Sequence, residues 1–320
     1  MCFKKGTPET MKISLHLILT VLITNCIMAQ IPKVTTGTIR QYENFKSKYV
    51  AARNIDVWLP EGYDVKKKYR VLYMQDGRSL FDSTITWNKQ SLGVDEALGK
   101  LIKEGQIGEC IVVGIWNGGP LRHSEYFPQR PFESLATERQ SSIYKMSHNK
   151  LGSKEEEPLF ADKVQSDNYL KFIVRELKPF IDSAFSTLSD QPNTFVMGSS
   201  MGGLISLYAI CEYPDVFGGA ACLSTHWVGI PDSKDNPVPA VFMSYLKEHL
   251  PDARNHKIYF DHGTATLDSL YGPYQKQVDA IMMAKGYDSG NWMTRVFPGG
   301  SHSENAWRRR LSIPLTFLLK

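Results

Sequence analysis

The segment from Thr194 to Ile210 limits what this chain can fold into more than any other part of the sequence. It reads as a short apolar run, the turn Gly198-Ser-Ser-Met-Gly202, and then an apolar run of helical length. A strand that enters a helix through so short a turn holds the middle residue in strained dihedral angles and brings its flanks close together. Glycine at both flanking positions meets that requirement because it lacks a Cβ atom. The segment therefore predicts a tight strand–turn–helix unit with the Ser200 hydroxyl at its apex.

Short apolar runs alternate with helical patterns along most of the chain. Between the runs, apolar residues recur at three- and four-residue spacing, as from Tyr169 to Ile181. Such alternation is typical of a mostly parallel central sheet with helices on both faces. With 320 residues, 42% hydrophobic and 22% charged, the chain fits one globular α/β domain over residues 30–320 and no disordered, collagen-like or coiled-coil class. The expected strands are Ile55–Leu59, Arg70–Met74, Cys110–Ile115, Thr194–Met197, Gly218–Leu223, Lys257–Asp261 and Trp292–Phe297.

Residues 129–166 interrupt this alternation. They are polar and charged, with the run Lys154–Glu157 and few apolar positions. A connection of this length inside a compact domain is usually a functional lid or a mobile insertion. We expect one of these roles for 129–166.

The N-terminus has the pattern of a secretory signal peptide over residues 1–29. A basic stretch precedes the apolar run Ile13–Ala29, and a polar stretch follows it. A transmembrane anchor is the alternative, but the run is short and is interrupted by His16 and Asn25. A lipid anchor at Cys26 is less favoured, because Asn25 is bulky where such signals need a small residue. We expect cleavage after Ala29, export to the periplasm or the cell exterior, and no stable membrane insertion afterwards.

Charge and cysteine content exclude other classes. The formal net charge of +4 gives no argument for a nucleic-acid partner. After cleavage three cysteines remain, Cys110, Cys211 and Cys222, and their wide spacing fits neither a disulfide framework nor a zinc site. We expect all three to be buried and predict no metal.

A serine hydroxyl is a weak nucleophile at its free pKa, so Ser200 needs a base and the base needs an orienting carboxylate. His302 lies in a glycine-rich loop after the last expected strand and before the final helix, where such a base belongs. His226, just after the strand Gly218–Leu223, is the alternative base or a residue lining the pocket. For the acid, Asp268 in the loop beyond Lys257–Asp261 is the first choice and Asp261 the second.

An ester-cleaving site also needs hydrogen-bond donors for the oxyanion. The N–H of Met201 at the helix N-terminus is one candidate. Gly77 permits a tight turn after the strand Arg70–Met74, and this turn directs the Arg78 N–H to the site. Aromatic residues near strand ends either line the pocket or belong to the core; they are Trp116, Tyr126, Phe127 and Trp227.

Over residues 47–320 the chain resembles the putative-esterase branch of the α/β-hydrolases. This branch holds carbohydrate esterase family 1 feruloyl and acetylxylan esterases, enterochelin-type siderophore esterases, and esterase D with the mycolyltransferases. Gln75 departs from the pattern, since histidine is frequent there, and 129–166 lengthens the usual connection. The motifs that carry the resemblance are Leu72-Tyr-Met-Gln-Asp-Gly77, Val113-Gly-Ile-Trp-Asn117 with Arg122 and Glu125-Tyr126, Glu176-Leu-Lys-Pro-Phe-Ile-Asp182, Gly198-Ser-Ser-Met-Gly-Gly203, Tyr213-Pro-Asp-Val-Phe217, Gly263-Thr264 with Asp268, and Gly300-Ser-His302 with Trp307.

The resemblance implies an α/β-hydrolase fold and a serine carboxylic-ester hydrolase that needs no metal or organic cofactor. The implied triad is Ser200, His302 and Asp268, acting through an acyl-enzyme on acetyl or feruloyl esters of carbohydrates. A ferric siderophore ester is the alternative substrate, for which Arg122, Arg130 and Arg139 would supply positive charge. An acyltransferase, a peptidase with the same triad, and a carbohydrate-binding module on a degenerate scaffold also remain open. The candidate substrate-binding residues are Trp116, Asn117, Arg122, His226 and Trp227.

Overall fold

A computed structural model of the chain describes residues 1–3, 6, 30–149, 155–231 and 235–320. The chain divides into two compact units, Met1–Gln30 and Ile31–Lys320. The apolar run Ile13–Ala29 lies outside the described residues, so the signal peptide stays a prediction. In the described ranges, no helix has both the length and the apolar character needed to cross a bilayer.

One mixed sheet forms the centre of the Ile31–Lys320 unit. Its eight described strands have the order β1-β2-β4-β3-β7-β8-β9-β10. From β4 to β10 neighbouring strands are parallel, whereas β2 is antiparallel to β1 and to β4. The strands are β1 (Thr38–Phe45), β2 (Arg53–Leu59), β3 (Arg70–Met74), β4 (Cys110–Ile115), β7 (Thr194–Ser199), β8 (Gly219–Leu223), β9 (Lys257–Gly263) and β10 (Trp292–Phe297), with a separate antiparallel pair, β5 (Ser147–Asn149) and β6 (Glu156–Pro158).

Helices cover both faces of the sheet, as predicted. One apolar layer packs α1, α10 and α11 against the sheet, and the larger layer holds α2 to α9. The inner strands are buried on both faces, which explains their continuous apolar runs. The helices are α1 (Val94–Lys103), α2 (Arg122–Tyr126), α3 (Gln129–Glu133), α4 (Thr137–Tyr144), α5 (Ser166–Phe172), α6 (Lys178–Ala184), α7 (Met201–Glu212), α8 (Val238–His249), α9 (Gly272–Ala284), α10 (Glu304–Arg310) and α11 (Ser312–Leu319), with a π-helical turn at Ile173–Leu177.

The described part of 129–166 is more firmly packed than its sequence indicates. It contains α3, α4 and the β5–β6 pair. Phe132 and Phe160 are buried, and Tyr144 packs between them, with ring centroids 5.0 and 5.5 Å away. These aromatic side chains join the segment to the core, although they are too widely spaced to produce a periodic pattern. A lid role for this segment stays a prediction.

Candidate active site

Ser200 lies at the sharp turn between β7 and α7. Its φ of 58° and ψ of −124° are strained for a residue with a side chain. A Cβ atom on Gly198 would lie 2.5 Å from the carbonyl carbon of Gly202, so this turn requires glycine. The Ser200 N–H donates to the carbonyl oxygen of Leu223 at 2.8 Å, which fixes the turn against the end of β8. The predicted strand–turn–helix unit is confirmed.

His302 and Asp268 complete a hydrogen-bond chain that starts at Ser200. His302 follows β10, and its Nε2 lies 2.9 Å from the Ser200 Oγ. Its Nδ1 lies 2.5 Å from Oδ1 of Asp268, which belongs to the 3₁₀ turn Thr266–Leu270 after β9. The Asp268 side chain is fully buried, whereas that of His302 is 15% exposed. The three side chains therefore meet at the carboxyl ends of the parallel strands.

Asp268, and not Asp261, contacts the histidine. Asp261 instead accepts two hydrogen bonds from the Arg310 guanidinium, at 2.7 and 3.1 Å. Burial raises the pKa of Asp261 and outweighs the effect of Arg310. Burial also acts to raise the pKa of Asp268, but hydrogen bonds from His302 and Ser224 outweigh it and lower that pKa. Asp268 is therefore the carboxylate held in its ionised form beside the imidazole.

Ser224 and Arg310 belong to this site although no sequence pattern indicated them. The Ser224 Oγ lies 2.6 Å from Oδ2 of Asp268, and the Gly263 N–H donates to the same oxygen at 2.6 Å. The Trp307 indole N–H and the Arg310 Nη2 donate to the Ser224 Oγ at 2.9 and 2.8 Å. Since Ser224 and Arg310 are 86 positions apart, only the folded chain reveals this contact.

The two predicted oxyanion donors lie on the turns that the sequence indicated. Met201 begins α7 directly after the serine, where helix N–H groups lack intrahelical partners. Arg78 is the middle residue of a 3₁₀ turn, Gly77–Ser79, which follows Asp76 in a left-handed conformation with φ 57°. A Cβ atom on Gly77 would lie 2.7 Å from the Gly114 carbonyl carbon, so only glycine lets this turn pack on β4. Their donor role stays a prediction.

Asn117 and Arg122, which are predicted to bind substrate, hold the turn before Arg78. The Asn117 amide donates to Oδ1 of Asp76 at 2.7 Å, and Arg122 donates to both carboxylate oxygens at 2.7 and 2.8 Å. A guanidinium paired with a carboxylate in this way has its charge compensated. Both residues therefore support the Asp76 turn, and their contact with substrate stays a prediction.

The three remaining predicted substrate residues have different environments. Trp227 is 1% exposed and its indole N–H donates to Gln275 at 3.1 Å, so we reassign it to the core. Trp116 is half-buried, and the Arg78 guanidinium stacks over its ring at 5.5 Å. His226 is half-buried beside the nucleophile, and its backbone N–H donates to the Ser200 carbonyl oxygen at 3.3 Å.

Burial lowers the pKa of His226 well below its usual value, and neighbouring positive groups act in the same direction. Its Nδ1 lies 2.8 Å from the Tyr271 hydroxyl, which orients the ring. His302, and not His226, contacts the Ser200 hydroxyl. Among the described residues, no three His, Cys, Asp or Glu side chains are grouped to hold a metal ion. Catalysis without a metal or cofactor stays a prediction.

Parts of this sequence are similar to known proteins. The family model described as Putative esterase matches residues 49–147 and 138–317. The uncharacterized protein YbbA of Bacillus subtilis is 25% identical over 197 residues, which is 61% of this chain and 63% of YbbA. The chain spans about three fifths of the length of the curated relatives it matches.

Two solved structures have the same architecture. A ferulic acid esterase has a TM-score of 0.60 and 18% identity, over 89% of this chain and 98% of that one. Enterochelin esterase from Shigella flexneri has a TM-score of 0.62 and 17% identity, over 90% of this chain and 59% of that one. Likeness at this level of identity shows the fold, and it confirms the predicted α/β-hydrolase architecture. Because the family model matches most of this chain, the chain belongs to the Putative esterase family.

Proposed function

We propose that this protein is an exported serine carboxylic-ester hydrolase whose catalytic triad is Ser200, His302 and Asp268. The observation that carries the proposal is the unbroken hydrogen-bond chain from the Ser200 Oγ through both ring nitrogens of His302 to Asp268. A base within hydrogen-bond distance activates the hydroxyl, and the carboxylate orients the base and stabilises the imidazolium that forms.

In the proposed reaction, Nε2 of His302 takes the proton of Ser200 while Oγ attacks the ester carbonyl carbon. The N–H groups of Met201 and Arg78 stabilise the oxyanion. Cleavage of the C–O bond releases the alcohol, which takes the proton from His302, and leaves the acyl group on Ser200. His302 then removes a proton from water, whose oxygen attacks the acyl carbonyl carbon. Release of the carboxylic acid returns the proton to Ser200.

Charge compensation around the site favours an uncharged ester over a ferric siderophore. A trianionic ligand requires positive charge that is free to meet it. Arg122 is paired with Asp76, and Arg130 with Glu212 at 3.2 Å. Of the three arginines considered for such a ligand, Arg139, which is exposed on α4, is the one left to meet its charge. Among uncharged esters we propose acetyl or feruloyl esters linked to carbohydrate, as the resemblance to carbohydrate esterase family 1 implies.

A substrate panel tests this proposal. We expect the purified protein to hydrolyse p-nitrophenyl acetate and either methyl ferulate or acetylated xylan. We expect no turnover of a ferric catecholate ester, because Arg122 and Arg130 are already paired with carboxylates. Product release measured by chromatography gives kcat/KM for each ester. A higher kcat/KM for the ferric ester than for the uncharged ones would overturn the substrate assignment.

Additions to the same panel separate the remaining alternatives. Amide analogues of the active esters report peptidase activity, and an added alcohol acceptor reports acyl transfer, since one triad geometry serves all these reactions. We expect water to be the acceptor and the amides to remain intact. Binding of xylan without hydrolysis of any ester would instead favour a carbohydrate-binding module.

Export is proposed from the N-terminal sequence pattern. We expect the protein recovered from the periplasm or medium of a secreting host to begin at Gln30, following cleavage after Ala29. N-terminal sequencing of that fraction measures this directly. Retention of the intact N-terminus in the cytoplasmic fraction would contradict export.

A further inference from the structure

We propose that Ser224 is a positioning residue, whose hydroxyl holds the triad acid against His302. This inference rests on the proposed function, since it assigns a role relative to the same triad. Ser224 follows β8 directly, is fully buried, and lies 2.6 Å from Oδ2 of Asp268. Asp268 uses its other oxygen, Oδ1, for His302.

The direction of the Ser224 hydroxyl proton follows from its neighbours. A hydroxyl has one proton to donate and two lone pairs that accept. The Trp307 indole N–H and the Arg310 guanidinium donate only, and both point at the Ser224 Oγ, at 2.9 and 2.8 Å. With both lone pairs occupied, the proton is left for the carboxylate of Asp268. Ser224 is therefore a fixed donor to Asp268. The charged Arg310 guanidinium and the polar Trp307 N–H polarise its hydroxyl.

Backbone strain and buried charge support the same assignment. Ser224 has a φ of 42°, a left-handed conformation that is unfavourable for a residue with a side chain. Arg310 is buried with Asp261, their side chains 3% and 0% exposed, although burying an ion pair gives little net stability. Strained residues of this kind persist where the surrounding contacts fix them, and they cluster at functional sites. The strained backbone and the buried guanidinium both lie at the Ser224 hydroxyl, which contacts Asp268.

Removal of this hydroxyl leaves Oδ2 of Asp268 with the Gly263 N–H at 2.6 Å and the Arg310 Nη2 at 3.9 Å. The carboxylate is then less firmly oriented, and more of its negative charge is available to the protonated base. The base then retains its proton to higher pH, so the acidic limb of the pH profile of kcat/KM shifts to higher pH. The other charged or titratable groups that face the Asp268–His302 pair are Arg310, Asp261, Tyr271 and His226.

The test compares Ser224→Ala with Thr225→Val, a matched control in the next residue. Thr225 is also buried, but its hydroxyl donates to the Cys222 carbonyl oxygen at 3.3 Å and not to the triad. We expect Ser224→Ala to lower kcat for p-nitrophenyl acetate by about 10- to 100-fold, as for the loss of a hydrogen bond to a charged group. KM should stay near the wild-type value, and the acidic limb should move to higher pH. Thr225→Val should leave both kcat and the limb in place.

A Ser224→Ala enzyme whose kcat and acidic limb match those of Thr225→Val would overturn the proposal. So would a loss of kcat with an unmoved limb and a lowered Tm, since that pattern marks a structural role alone. If Ser224→Ala does not fold, the Trp307→Phe variant is measured, because it keeps an aromatic ring beside His302 and removes one donor to Ser224. That variant should show a smaller shift of the limb in the same direction, and no shift would overturn the proposal. Failure of the proposed function is distinguishable, because the wild-type protein would then hydrolyse no ester.

Discussion

Replacing Ser200 with alanine is expected to lower kcat for ester hydrolysis by about 10⁶-fold, the loss typical of a serine hydrolase without its nucleophile. The Oγ of Ser200 is the atom that His302 contacts at 2.9 Å, and no acyl-enzyme can form without it. The measurement is steady-state hydrolysis of the best ester in the panel, with Tm recorded for both proteins. Tm should change little, because the substitution removes one partly buried oxygen.

Ser199→Ala is the matched control for this loss. Ser199 is the neighbouring hydroxyl and ends β7, where its backbone pairs with Leu223. The described hydrogen bonds of the His302 imidazole ring run to Ser200 and Asp268, and none runs to Ser199. We expect Ser199→Ala to retain near wild-type kcat. An inactive Ser199→Ala beside an active Ser200→Ala would contradict the assignment of the nucleophile.

Asp268→Asn is expected to lower kcat by about 10⁴-fold, as in other triads whose acid is replaced by its amide. The carboxylate accepts from Nδ1 of His302, whereas an amide nitrogen in that position would favour the wrong tautomer of the imidazole. Both kcat and Tm are measured for the variant. A loss below tenfold would show that the base does not depend on this carboxylate.

Asp261→Asn distinguishes the two candidate acids, because it should change Tm more than kcat. It removes the negative charge closest to the buried Arg310 guanidinium, and breaking a buried ion pair costs about 3–5 kcal/mol of stability. We therefore expect a large fall in Tm and a loss of kcat at least a hundredfold smaller than that of Asp268→Asn. The reverse ranking of kcat would make Asp261 the triad acid.

The inner strands could be predicted because burial on both faces leaves continuous apolar sequence. Each expected run from Ile55–Leu59 to Lys257–Asp261 corresponds to a strand of the sheet, and so does Trp292–Phe297, although this edge strand is exposed or half-buried. Strand β1, Thr38–Phe45, was not predicted. It pairs only with β2 in the sheet, and its residues are exposed or half-buried, so its sequence has no apolar run. The burial of Cys110, Cys211 and Cys222 is confirmed.

Side-chain partners at the site were harder to predict than chain positions. The turn at Ser200 and the loop of His302 have local signatures of glycine and strand ends, so their places in the fold could be predicted. Whether a residue near a strand end faces substrate or the interior depends on packing from distant elements. Trp227 is buried for this reason, and Arg122 meets Asp76 across 46 positions of sequence.

The support behind the acid has no sequence signature at all. Ser224 and Arg310 lie after β8 and at the end of α10, and they meet only because both elements pack beside Asp268. Asp261 precedes Asp268 by a few residues and has the same side chain, so spacing alone left the choice between them open. The guanidinium that engages Asp261 distinguishes the two.

Labelling with a fluorophosphonate tests the activation of Ser200 most directly, because only an activated serine reacts with such a probe. We expect one adduct in the intact protein, mapped by mass spectrometry to Ser200, and no adduct in Ser200→Ala. Asp268→Asn should label far more slowly than the wild-type protein, since its base is no longer oriented. An unlabelled wild-type protein, or an adduct on another serine, would contradict the proposed triad.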